Sequence, residues 1–129
     1  MRAVDTNILI RLVTKDDLAQ AKRAQALFST HSIFIPKTVL LETAWVLQYV
    51  YKYERHTILH ALKGILGLSN VEVEDPLTVS RALDWMERGL DCADALHVAS
   101  SHTAQKFSTF DEKLHKKSKT MTTISVELL

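Results

Sequence analysis

Arg2-Ala3-Val4-Asp5-Thr6-Asn7-Ile8-Leu9-Ile10 is the stretch that decides how this chain reads. Arg2 to Val4 is short strand material. It runs without a linker into three polar residues of the types that cap helices. Ile8-Leu9-Ile10-Arg11-Leu12 then continues as a mainly apolar helix. A strand that turns directly into a helix is the repeating unit of an α/β sheet.

Working outward, the same pattern recurs. Ile33-Phe34-Ile35 is a buried-strand run closed by Pro36. Val71 to Glu74 alternates as a strand, and Asp75-Pro76 opens a helix that ends near Gly89. Phe107-Ser108-Thr109 is a strand, and Asp111 heads a short helix. Further helices are expected over Leu18 to Phe28, Lys37 to Tyr53, Arg55 to Leu66 and Cys92 to Ala104. A last strand is expected over Met121 to Ile124. Strands alternating with helices predict an α/β fold with a mainly parallel sheet covered on both faces. In such sheets ligands gather beyond the carboxyl ends of the strands, where Asp5 and Asp111 fall.

The chain has 129 residues, a normal size for one domain, and is read as a single domain over 1–129. An apolar fraction of 47% is enough to build a core without staples. The lone Cys92 fits a reducing, cytoplasmic setting. Net charge is only +1, so any grip on phosphates has to be a local patch. Asp5 interrupts what would be a signal peptide's apolar region, and Pro36, Lys37 and Glu42 interrupt the apolar run from Ile33 to Val50. Neither a targeting segment nor a membrane span is expected.

Five carboxylates carry the chemistry: Asp5, Glu42, Asp91, Asp94 and Asp111. Taken singly, Asp5, Asp91 and Asp111 read as helix N-caps, and Asp94 as a first-turn acid that suits the helix dipole. Glu42 is different. Its helical neighbours are Val39, Trp45 and Val46, so it is expected on the core-facing side, where a carboxylate needs a partner. Several carboxylates brought together repel unless protons or cations intervene, and hard cations such as Mg²⁺ favour oxygen ligands.

The ordered set is Asp5-Thr6-Asn7 at the first strand end, Glu42 early in a helix, Ala93-Asp94-Ala95-Leu96-His97 on an Ala-rich helix, and Thr109-Phe110-Asp111 near the end. It resembles the PIN-domain ribonucleases, and most closely the small VapC toxins of type II toxin–antitoxin pairs. The resemblance covers essentially the whole chain. It implies an α/β/α sandwich with clustered acids that hold Mg²⁺ or Mn²⁺. Asp5, Glu42, Asp94 and Asp111 match the family's catalytic, metal-holding acids, and Asp91 matches an extra acid seen in similar toxins. Thr6 and Asn7 match the polar residues that orient the first aspartate. The implied reaction is hydrolysis of RNA phosphodiester bonds, in which the metal neutralises the phosphate and activates water. The implied partners are an RNA substrate, a cognate antitoxin and a second copy in a homodimer. A catalytically silent RNA- or protein-binding module of the same fold, and a housekeeping RNA-processing nuclease, are the competing readings.

Substrate contacts are sought in basic clusters. Lys113, Lys116, Lys117 and Lys119 follow Asp111, and Lys15, Lys22 and Arg23 follow the first acid motif. Either set reads as a phosphate rim or as a solvated surface. His56 and His60 lack the Glu of a zinc-protease helix, and no Gly-rich phosphate loop is present. Cys92 reads as a packing residue. Trp45, Tyr49 and Tyr53 recur every four residues, which by default is core packing, with a partner surface as the other reading. A phosphoacceptor receiver would want Lys where Asp111 stands. A dehalogenase-like phosphatase would want Asp where Asn7 stands.

Overall fold

The computed structural model describes residues 1–129, which fall into two compact units, Met1–Pro76 and Leu77–Leu129. In the first, β1 (Arg2–Ala3), β2 (Ile33–Ile35) and β3 (Val71–Val73) form a parallel sheet in the order β1-β2-β3. Arg2 lies opposite Ile33, and Ile33 opposite Val71. Parallel neighbours need long crossovers. Helices α1 (Thr6–Thr14) and α2 (Leu18–Thr30) supply the first, α3 (Lys37–Tyr49) and α4 (Arg55–Leu66) the second. Ile33 and Ile35 on the central strand are fully buried, as are Leu9 and Ile10 of α1, Leu40 and Leu47 of α3, and Ile58 and Leu62 of α4.

Side chains fix the ends of these elements. The Asn70 amide donates to the carbonyls of Phe28 and His31 at 2.7 and 2.8 Å, tying the end of α2 to the start of β3. Pro36 has no N–H to continue β2, and it stands at the N-cap of α3. Glu74 accepts from the Lys37 N–H at 2.9 Å, which anchors α3 at the end of β3.

The second unit holds all but the first residue of α5 (Pro76–Glu87), then α6 (Cys92–Ala99), β4 (Lys106–Thr109), α7 (Glu112–Met121) and β5 (Ser125–Leu128). Strands β4 and β5 pair in parallel over four residues each, with α7 as their crossover. Val79, Met86, Leu90 and Val98 are buried in this unit. Arg88 donates to the carbonyls of Thr120 and Met121 and so satisfies the end of α7. The chain is thus an α/β protein whose strand pairs are all parallel, as the sequence suggests. No helix is long and apolar enough to cross a membrane.

Three elements depart from expectation. Helix α3 stops at Tyr49 rather than Tyr53, and Lys52 takes a left-handed φ of 61° in the turn that follows. Helix α6 stops at Ala99 rather than Ala104. Ser101 donates its hydroxyl to the His97 carbonyl at 2.8 Å, and its own carbonyl accepts from the Ala104 N–H. Such local side-chain bonds compete with helix propagation. The last strand lies at Ser125–Leu128, not Met121–Ile124, because α7 runs on through Met121 and the Val126 side chain is the buried one.

Candidate functional site

Three of the five carboxylates are N-caps. The Asp5 side chain accepts from the Ile8 N–H at 3.3 Å, at the head of α1. Asp91 Oδ2 accepts from the N–H groups of Ala93 and Asp94 at 3.1 and 3.4 Å. Asp111 Oδ1 accepts from Lys113 and Leu114 at 2.9 and 3.1 Å. Capping uses a single oxygen in each, so the second oxygen of each carboxylate is left for other work.

In the first unit the acids are Asp5 and Glu42. The buried Thr6 hydroxyl donates to Glu42 Oε1, linking the first turn of α1 to the second turn of α3. This is the partner that Glu42 needs, but its setting corrects the sequence reading. Glu42 is exposed rather than core-facing. The stripe it shares is also open: Trp45 is 51% and Tyr49 47% exposed, with their rings 5.3 Å apart. Periodicity alone cannot tell a core stripe from an uncovered one. Thr6 therefore holds Glu42, not Asp5, while Asn7 is exposed on the same turn as Asp5.

A groove of about 420 Å³ opens beside Asp5 in this unit. Asp5, Asn7, Ile8 and Arg11 of the α1 segment face Gln20, Arg23, Ala24 and Leu27 of α2 across it. Of the candidate cations after the first acid motif, Arg23 alone lines the groove, and Lys15 is the left-handed C-cap of α1. Arg11 and Gln20 were not singled out by sequence. The signal was present as helical spacing: Asn7 and Arg11 stand four apart, and Gln20, Arg23, Ala24 and Leu27 follow an i, i+3, i+4, i+7 stripe.

In the second unit the acids are Asp91, Asp94 and Asp111. Asp94 is half-buried, and burial pushes its carboxyl above the usual range. The negative charges of Asp91 and Asp111 push it further the same way. His97 and Lys117 pull in the opposite direction. Lys117 also donates to the Gly89 carbonyl at 3.1 Å, while Lys113 and Lys116 are exposed on α7. His115 contacts the Val126 carbonyl at 3.1 Å, so it belongs to the α7–β5 packing. Burial, and then Asp91, push the Cys92 thiol up to about 12, which keeps it a protonated packing group.

In neither unit do three His, Cys, Asp or Glu side chains gather into a cage that would hold a metal. The donors nevertheless fit a hydrated divalent ion. All are carboxylate oxygens, and the charge crowding at Asp94 is of the kind a cation relieves. Mg²⁺ keeps several waters and is commonly held by one or two carboxylates rather than an all-protein cage.

No curated protein matches the chain closely enough for comparison. The family model for the PIN domain does match, over residues 2–119. That span takes in β1 through most of α7 and every one of the five acids, and the chain belongs to the PIN-domain family.

Proposed function

We propose that this protein is a Mg²⁺- or Mn²⁺-dependent endoribonuclease, and the toxin of a VapBC-type toxin–antitoxin pair. PIN domains are in general metal-dependent nucleases, usually acting on RNA. The observation that carries the reading for this chain is the PIN-domain match over residues 2–119, which takes in all five acids, with Asp5, Asp91 and Asp111 each committing only one oxygen to a helix cap.

Asp5, Glu42, Asp94 and Asp111 are the proposed catalytic carboxylates and metal ligands, with Asp91 as an additional ligand. When bound, a divalent ion supplies charge neutralisation at the phosphodiester and makes water a better nucleophile. The chain's own residues do the positioning. The helix N–H groups of α6 and α7 fix Asp91 and Asp111 through one oxygen each. The Thr6 hydroxyl fixes Glu42 in the same way. Lys113, Lys116 and Lys117 of α7 are the proposed contacts for backbone phosphates.

In this reading the protein acts in the cytoplasm, as a homodimer held inactive by a cognate antitoxin. The open Trp45–Tyr49 stripe supports a surface that an assembly covers. The test is cleavage of a panel of structured RNAs by purified protein with Mg²⁺ or Mn²⁺. Cuts should vanish with EDTA and with Asp5→Asn. Cutting that persists in both controls sinks the reading. Induced expression should halt growth for wild type and not for Asp5→Asn. Cleavage without growth arrest would favour a housekeeping nuclease over a toxin.

A further inference from the structure

We infer that the groove between α1 and α2 is a nucleotide subsite for an RNA strand beside Asp5, with Arg23 holding a backbone phosphate. The inference rests on the ribonuclease reading and adds to it a residue that the acidic set does not include. The groove's 420 Å³ falls within the ~300–1,000 Å³ of small-ligand pockets.

Its lining sorts by chemistry. Ile8, Ala24 and Leu27 give an apolar floor on which a base or ribose can pack. Asn7 and Gln20 bring amides, which can both donate to and accept from base edges and a 2′-hydroxyl. Arg11 and Arg23 bring the cations.

The two arginines are not equivalent. Arg11 is braced: its Nε donates to Gln20 Oε1 at 2.8 Å, and it pairs with Asp16 at 3.0 Å. The Tyr51 hydroxyl accepts from Arg11 at 3.3 Å and donates to Asp16 at 2.6 Å, which closes the network. Arg11 thereby orients Gln20, leaving the Gln20 amide N–H groups for a ligand. Arg23 makes no hydrogen bond or ion pair with the protein and is exposed. A planar guanidinium with all its donors unused matches a phosphate in bidentate fashion. Asp5, on the same groove, would repel a bare polyanion. A strand offering one phosphate with a base and ribose suits the mixed lining better.

Binding is measured apart from cleavage, by fluorescence anisotropy of a labelled single-stranded RNA decamer of degenerate sequence, in EDTA. Wild type should bind it. Arg23→Ala should weaken binding about tenfold and lower the salt slope by about one. Arg55→Ala, a cation on α4 outside the groove, should change neither. Arg23 is exposed, and alanine favours a helix, so the variant's thermal melt should match wild type.

Unchanged binding in Arg23→Ala, an equal loss in Arg55→Ala, or no binding by wild type overturns the subsite. So does displacement of the RNA by an equal concentration of AMP, which would make the groove a free-nucleotide site. If any of these occurs while Asp5→Asn still abolishes metal-dependent cleavage, the groove assignment fails and the nuclease reading stands. If cleavage survives Asp5→Asn, it is the nuclease reading that fails.

Discussion

At the residue scale the acids are held by different forces, and substitution should separate them. Asp94 is disfavoured as an anion by its burial and by Asp91 and Asp111. Its raised carboxyl means the folded state holds the proton more tightly than the unfolded chain does. Without metal, this group therefore weakens folding at neutral pH, and the penalty fades as pH falls through its folded pKa towards the unfolded value. Asp94→Asn should melt at or above the wild-type temperature in EDTA at neutral pH, with the difference shrinking in acid. Its cleavage activity should fall about a hundredfold or more. A large loss of stability in the EDTA melt would return Asp94 to a structural role. Thr6 is a different case, since its hydroxyl holds Glu42. Thr6→Val keeps the shape and removes the donor, and should cost about 0.5–1.5 kcal/mol in urea unfolding. Thr6→Ser should recover most of it. A double-mutant cycle with Glu42→Gln should show coupling, and additive effects would mean the contact does not persist in solution.

At the scale of elements, polar links between segments far apart in sequence set where helices and strands begin. Asn70 reaches two carbonyls at the end of α2, and Asn70→Ala leaves both without that donor. We expect a loss of about 1–2 kcal/mol in denaturant unfolding. An unchanged midpoint would show that water replaces the amide at no cost. The turn after α3 is joined to the start of α2 through Tyr51 and Asp16. The Tyr51 hydroxyl, and then the Thr14 hydroxyl, hold the Asp16 carboxyl below the ordinary range. A depressed carboxyl contributes stability above its unfolded pKa and loses it as pH falls through the folded value. Tyr51→Phe should therefore lower stability at neutral pH and flatten the acid limb below about pH 4, so that its difference from wild type shrinks as pH falls. Parallel acid limbs for the two proteins would refute the link. Elements written in local sequence were legible: Arg55–Leu66 and Ile33–Ile35 form where their patterns place them. The ends of α3 and α6 and the position of β5 were not, because turn conformations and partner strands fix them.

For the whole molecule, net charge is only +1, so attraction to RNA has to come from local groups such as α7's lysines or Arg23. Metal linkage acts on the entire folding equilibrium. Mn²⁺ should raise the melting temperature of wild type, by about 2.7 kcal/mol of added stability at a hundredfold excess over Kd. Asp5→Asn should shift much less, and equal shifts would put the ion elsewhere. The sequence by itself determined the α/β class, the parallel pairing of strands and the three N-cap aspartates. Those follow from hydrophobic period, strand–helix alternation and the hydrogen-bonding reach of a short acid, all of which are local. Only the tertiary structure decided that Glu42 and the Trp45–Tyr49 stripe are open to solvent and that Thr6 is Glu42's partner. It alone brought Arg11, Gln20 and Arg23 onto one groove with Asp5. A helical repeat specifies a face, but whether that face is covered, and by what, depends on segments distant in the chain.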